Sequence, residues 1–336
     1  QDAISPSQLK KVGYKTAAMG KWHLGQRSMF LPAAHGFDEY LGIPYSDDMG
    51  DARHTPCGGG SVDAQGVVAH AAPTIALADL RAEYAASGFY DAEAQGDLSP
   101  MGKDADPGTT LLPLVHQANG ATTVLEQPLD FTTLATKYNA YVDSFISSSA
   151  NESFFLYMPF SHVHTTSSVQ PEKQYAGCAF QNTSVRGKFG DALAEVDWLV
   201  GKTVAALEAA SLEKNTLILF TSDNGPWMNQ QASGGSTGIH SGRWAGYWNT
   251  GKGSTWEGGN HEAAFAYFPG QIEASSRSHE VTSSLDLFAT ASALAGVPLP
   301  TDRVYDGKDM GDILFSGGAS KHEFLFFYGG CKGSGG

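Results

Sequence analysis

Apolar residues in this chain occur in two patterns. Four short stretches are almost continuously apolar: Tyr14 to Met19, Phe154 to Pro159, Thr216 to Ser222 and Ala263 to Phe268. Runs of this length read as strands, and the unbroken ones as strands buried on both faces. Between them apolar positions recur every three to four residues. Leu134, Tyr138, Tyr141 and Phe145 mark a helix over Leu129 to Ser147. Leu193, Val196, Leu199, Val200, Val204 and Leu207 mark another over Phe189 to Ala210. Ser283 to Ala295 reads as a third helix, and Ser5 to Val12 as a short one opened by Ser5-Pro6. Residues from about 50 to 128 are rich in Gly, Ala, Asp and Pro with little periodicity. They read as a long irregular insertion, a candidate lid or substrate-side surface. Helix alternating with buried strand predicts an α/β fold with a mostly parallel central sheet flanked by helices on both faces.

Composition narrows the class. The 336 residues suffice for a large core, and 41% apolar with 17% charged residues is ordinary for a globular protein. The 21 basic and 35 acidic side chains leave a net charge of −14, which argues against nucleic acid as the main partner. Any anion site must then be locally basic. No apolar run is long enough to span a membrane. The first residue is Gln1 rather than Met, so the start of the natural chain is open. Three cysteines, Cys57, Cys178 and Cys331, are too few for a disulfide framework and leave at least one thiol over. Asn151-Glu152-Ser153 and Asn182-Thr183-Ser184 fit the N-glycosylation acceptor pattern, which points to a secreted or lumenal protein.

In parallel sheets, sites gather beyond the carboxyl ends of the strands. The strand ending at Met19 runs into Gly20-Lys21-Trp22-His23-Leu24-Gly25, a cation and an imidazole between glycines. The strand at 154–159 runs into Phe160-Ser161-His162-Val163-His164, and the strand at 216–222 into Asp223-Asn224-Gly225-Pro226. Asp and Asn offer hard oxygens suited to Ca²⁺ or Mg²⁺. Gly251-Lys252-Gly253-Ser254-Thr255-Trp256-Glu257-Gly258-Gly259 adds a second lysine in a glycine-rich turn. Lysines and imidazoles suit sulfate or phosphate, so the set suggests hydrolysis or transfer at a tetrahedral oxyanion ester. Each motif also has a plain structural reading. Lys-x-His is commonly surface, His-x-His divides evenly between metal ligation and core packing, and Asp-Asn-Gly is commonly a turn. The spacing Gly246-x4-Gly251-Lys252 imitates a nucleotide-phosphate loop, but Gly253 replaces the required Ser or Thr and no strand precedes it.

Together these segments resemble the type I sulfatases of the alkaline-phosphatase superfamily, most of all the arylsulfatase A-like members. The resemblance rests on Val12-Gly13-Tyr14 through Gly25, Gly36 through Ser46, Phe154 through His164, Phe220 through Pro226, Gly251 through Gly259 and Ser283 through Pro300. It runs from about residue 5 to 328, except through the insertion. It implies a sulfatase catalytic-domain portion over 1–328 and a Gly-rich tail over 329–336. The family's small C-terminal antiparallel sheet would be truncated.

The resemblance also implies a sulfuric ester hydrolase acting on a sulfate ester, with a formylglycine nucleophile and Ca²⁺. Lys21 resembles the lysine bridging nucleophile and sulfate. His23 resembles the histidine that hydrogen-bonds the formylglycine, and His164 the one that protonates the leaving oxygen, with His162 as support. Lys252 resembles the second sulfate-binding lysine, and Asp223 and Asn224 two Ca²⁺ ligands. A secreted, extracellular or lysosomal-type location goes with the family.

Two departures stand out. No cysteine lies in the family's Cys-x-Pro-Ser-Arg motif, so the nucleophile is expected upstream of residue 1. The Asp-Asp metal pair of the first family strand is also missing. Asp47-Asp48-Met49-Gly50 imitates it but follows Ile43-Pro44-Tyr45-Ser46 in a loop, and reads as a decoy. A parallel sheet without a central strand leaves buried backbone groups unpaired, so that strand is expected from residues outside 1–336 or from a further copy or chain. Two alternatives stay open: an inactive structural or binding component of an extracellular assembly, and a phosphatase or phosphonate hydrolase of the same superfamily.

Overall fold

A computed structural model describes residues 6–57, 111–167, 173–241 and 250–327. Most of the stretch read as an insertion, the Gly-rich tail with Cys331, and Ser5 lie outside these residues. The chain divides into two compact units, Gln1–Ser211 and Leu212–Gly336.

The first unit is built on a five-stranded sheet. Its strands are β1 (Lys15–Lys21), β2 (Glu39–Ile43), β3 (Leu114–Ala118), β4 (Ala121–Glu126) and β5 (Phe154–Tyr157), in spatial order β4-β3-β2-β1-β5. β1 runs parallel to both β2 and β5, with Ala18 opposite Tyr40 on one side and Tyr157 on the other. β3 and β4 continue the sheet antiparallel to β2. This hairpin, with one register shift at Leu114/Val115, falls within the 50–128 stretch read as irregular. Asn119 and Gly120 both have positive φ, the turn chemistry that favours a tight two-residue hairpin.

Two long helices accompany the sheet. α2 (Phe131–Ser148) starts at Asp130, whose carboxylate accepts the Thr132 amide, and it buries Leu134, Tyr138, Tyr141 and Phe145 along one stripe. α3 (Gly187–Ala209) packs against α2. A short α1 (Ser7–Lys10) precedes β1. The core between sheet and helices is aromatic-rich, with Tyr40, Tyr138, Tyr141, Phe131 and Phe145 fully buried beside Met19, Leu41 and Ile43. Cys57 and Cys178 form a disulfide across 121 residues of sequence. Such a link stabilises mainly by restricting the unfolded chain, by roughly 4–5 kcal/mol for a loop of this order.

The second unit carries β6 (Ile218–Thr221) and β7 (Ala264–Tyr267). They pair antiparallel, Phe220 opposite Phe265 with the rings stacked at 4.8 Å. The helices are α4 (Glu257–Asn260), α5 (Asp286–Leu294) and α6 (Gly311–Ser316). A strand over 263–268 is thus present, but β7 is exposed rather than buried and runs antiparallel to its neighbour. The overall class is α/β, a mixed sheet with parallel inner strands flanked by helices, plus a small antiparallel sheet. No described helix is long and apolar enough to cross a membrane.

Candidate active site

In the first unit three parallel strands end together. Glycines make the closure possible. A Cβ at Gly20 would sit 2.0 Å from the Pro159 carbonyl oxygen, and one at Gly42 would sit 1.8 Å from the Gly20 carbonyl oxygen. The loops are then tied strand to strand. The Lys21 amide donates to Pro159 (2.7 Å), the Trp22 amide to Ile43 (2.8 Å) and the His23 amide to Pro44 (3.2 Å). The Trp22 indole donates to the Phe30 carbonyl at 2.7 Å, fixing the turn after Lys21. His23 takes a positive φ of 53° and is exposed.

Behind Lys21 lies a buried polar cluster. Asp47 is fully buried, and its Oδ2 accepts the Tyr175 hydroxyl at 2.9 Å. Among the described residues its Oδ1 has no hydrogen-bond partner. Burial pushes the Asp47 carboxyl up to about 7, opposed by the Lys21 ammonium, the Tyr175 hydroxyl and the His162 imidazole. Burial, then the Asp47 charge, drives the Tyr175 phenol well above its ordinary value. The His162 ring lies 4.4 Å from that of Tyr175, and its Nε2 meets Glu195 of α3 at 2.7 Å with both side chains buried. The other Glu195 oxygen accepts the Gly177 amide at 2.9 Å. Ser161 shares a 3.0 Å hydrogen bond with Tyr138 of α2.

His164 is half-buried, and its Nδ1 donates to the Thr165 carbonyl at 2.8 Å, since a carbonyl can only accept. That fixes Nε2 as the nitrogen that can exchange a proton. The Asp48 carboxylate stands 3.9 Å from Nδ1. The Asp47–Asp48 stretch, read from sequence as a decoy, lies in a loop as expected. It nevertheless belongs to this cluster, because the β2 carboxyl end opens beside that of β1. Glu195 and Tyr175 gave no sequence signal of their own, since only packing brings a helix glutamate and a distant tyrosine to the strand ends.

In the second unit Asp223 and Asn224 follow β6 after one intervening residue, Ser222. Their turn is held against the glycine-rich loop by backbone contacts. A Cβ at Gly225 would sit 1.9 Å from the Gly258 carbonyl oxygen, and one at Gly251 would sit 2.2 Å from that of Pro226. The Gly225 amide donates to Gly259 (3.1 Å) and the Lys252 amide to Pro226 (2.9 Å). This puts Lys252 and the Asp223–Asn224 pair in one loop cluster. The Lys252 ammonium lies 5.2 Å from the centre of the Trp227 ring. Partial burial, then the Asp223 charge, raises the Glu262 carboxyl, whose Oε1 is buried without a hydrogen-bond partner among the described residues. A carboxyl raised by a neighbouring carboxylate, in a loop that also carries an amide oxygen, suits a hard cation such as Ca²⁺. The spacing of Asp223 and Asn224 gave no hint of Glu262.

Cys57 and Cys178 are tied in their disulfide, and Cys331 lies outside the described residues. Asn151 and Asn182 are both exposed.

A family model described as Sulfatase matches residues 6–297. The chain belongs to the sulfatase family. It is 34% identical to arylsulfatase G of Rattus norvegicus over 328 residues, covering 95% of this chain and 54% of that protein. It is 34% identical to arylsulfatase A of Homo sapiens over 320 residues, covering 94% and 52%. Against steryl-sulfatase of Rattus norvegicus it is 35% identical over 343 residues, covering 95% and 56%. Among solved structures, the PsFucS1 sulfatase from Pseudoalteromonas sp. is similar at a TM-score of 0.70 and 26% identity, covering 97% of this chain and 57% of that one. The chain thus spans about half the length of the sulfatases it matches.

Proposed function

We propose that the protein containing this chain is a sulfuric ester hydrolase of arylsulfatase type. The observation that carries the proposal is the loop cluster of the first unit. There Lys21, His162 and His164 stand at the carboxyl ends of parallel strands within a sulfatase-family chain. Lys21 anchors a sulfuryl oxygen, its backbone fixed at the strand end by the Lys21–Pro159 and Trp22–Ile43 bonds. His164, locked by Thr165, delivers a proton from Nε2 to the leaving alcohol oxygen. His162, bound to Glu195, is the positioning residue beneath it. His23 assists at the nucleophile side. Lys252 binds sulfate as a second cation.

Asp223 and Asn224 would hold Ca²⁺, which supplies positive charge to the sulfuryl oxygens. The Asp223–Glu262 opposition fits that role. The family's formylglycine nucleophile has no counterpart in Cys57, Cys178 or Cys331, none of which lies in a Cys-x-Pro-Ser-Arg motif. The central strand expected from outside 1–336 is not missing from the described five-stranded sheet, where β1 pairs directly with β2 and β5 and β5 forms the edge. The disulfide and the exposed acceptors Asn151 and Asn182 support a secreted or lysosomal-type location.

The test is hydrolysis of an aryl sulfate by the full-length protein with Ca²⁺, compared with Lys252→Ala. Turnover that falls by about 100-fold or more in the variant supports the reading. Full-length protein that binds Ca²⁺ yet turns over no sulfate ester supports a structural or binding component instead. Preference for a phosphate or phosphonate ester moves the activity to that class.

A further inference from the structure

We propose that His240, Glu257 and His261 form a binding site for a divalent transition metal of the zinc type, distinct in chemistry from the Asp223–Asn224 oxygen pair. One ligand atom from each of the three lies within 4.8 Å of the others. Glu257 opens α4 and His261 caps it, so the two stand one turn apart on one face. His261 Nδ1 meets Glu257 Oε2 at 2.7 Å. The third group arrives on a separate segment. His240 ends the short turn Gly238–His240, and its ring lies 4.4 Å from that of His261.

The approach is built into the backbone. A Cβ at Gly258 would sit 2.7 Å from Thr237 Cγ2 and 2.5 Å from the Thr250 carbonyl oxygen, so only glycine lets α4 close on this turn. The buried Thr237 and Ser241 hydroxyls hydrogen-bond to one another and brace the turn from its other side. An ordinary ion pair one helical turn apart accounts for Glu257 with His261. It does not account for a second imidazole set against the first.

The donor set decides the ion. Two imidazoles and one carboxylate match zinc sites that keep a fourth position open to solvent. Glu257 and His261 are exposed, which leaves room for a water there. Imidazole nitrogen suits Zn²⁺, Cu²⁺ or Ni²⁺, whereas Ca²⁺ takes oxygen.

The test uses full-length protein freed of transition metals and kept in excess Ca²⁺. Co²⁺ serves as the spectroscopic probe and Zn²⁺ is titrated calorimetrically. The expected result is one saturable Zn²⁺ per chain that displaces Co²⁺. His240→Ala and His261→Ala should each weaken Zn²⁺ binding by roughly tenfold or more, since even residues that only orient ligands cost that much. Asp223→Asn should leave Zn²⁺ affinity unchanged. Thermal melting in metal-free buffer checks each variant, and His240→Asn and His261→Asn replace any that fails to fold. Absence of saturable Zn²⁺ binding, or Zn²⁺ affinity in both histidine variants equal to that of the unmutated protein, overturns the site. Neither result bears on sulfate-ester turnover, which is read separately.

Discussion

The two loop clusters are built on opposite principles. In the first unit, side chains hold side chains: Glu195 holds His162, Tyr175 holds Asp47, and Tyr138 holds Ser161, all buried. In the second unit, backbone holds backbone. Gly225, Gly251, Gly258 and Gly259 let the turn after β6 and the Lys252 loop touch directly, while Asp223 stays exposed. A buried side-chain network fixes protonation states and orientation, which proton transfer requires. A glycine-packed loop leaves oxygens and an ammonium at the surface, which cation and anion binding requires.

The comparison breaks most visibly through the disulfide. Replacing Cys57 and Cys178 with alanine should cost the first unit roughly 4–5 kcal/mol. Hydrogen exchange should show protection lost in α2 and β1–β5. Equal loss at residues 223–259 would mean that the two clusters do not differ in what supports them.

Asp47 gives the next largest effect. Its folded value of about 7 lies above the ordinary 3.8, so the folded state holds this proton more tightly than the unfolded chain does. Stability from this group is therefore full below pH 4, falls as pH rises toward 7, and is flat above. The rise corresponds to roughly 4 kcal/mol. Asp47→Asn should remove that decline, raising stability above pH 7 with little change at pH 4. Melting curves from pH 4 to 8 that keep the same slope would show that Asp47 is not the buried acid described.

A smaller effect tests the second unit. Gly225→Ala should cost about 1–3 kcal/mol by forcing the turn away from Gly258. Ca²⁺ affinity should fall with it, while the first unit's melting stays the same. Unchanged Ca²⁺ affinity in a folded variant would separate the turn from the metal ligands.

Much of this was legible in sequence. Each expected strand and helix has a counterpart, because apolar runs and the stripe of Leu134, Tyr138, Tyr141 and Phe145 mark strand and helix; burial on both faces did not follow, since β5 and β6 are half-buried and β7 is exposed. The hairpin of β3 and β4 was missed inside a Gly- and Ala-rich stretch, although Asn119-Gly120 carried its signal. Strand direction in the second unit was missed because β7 has an apolar run like a buried strand, and a run does not encode its neighbour. The strand-end loops showed Lys21, His162, His164, Asp223 and Lys252. Asp47 was set aside for imitating another motif, and Glu195, Tyr175 and Glu262 depend on packing between distant segments.

The division of labour is tested most directly by how the rate of aryl sulfate hydrolysis depends on the leaving phenol's pKa. The full-length protein, His164→Asn and Asp223→Asn should be compared over the same series of phenols. The account predicts a steeper dependence for His164→Asn, since poor leaving groups lose their proton donor. It predicts a uniform drop with the original slope for Asp223→Asn. A parallel drop for His164→Asn, or a steeper slope for Asp223→Asn, would contradict it.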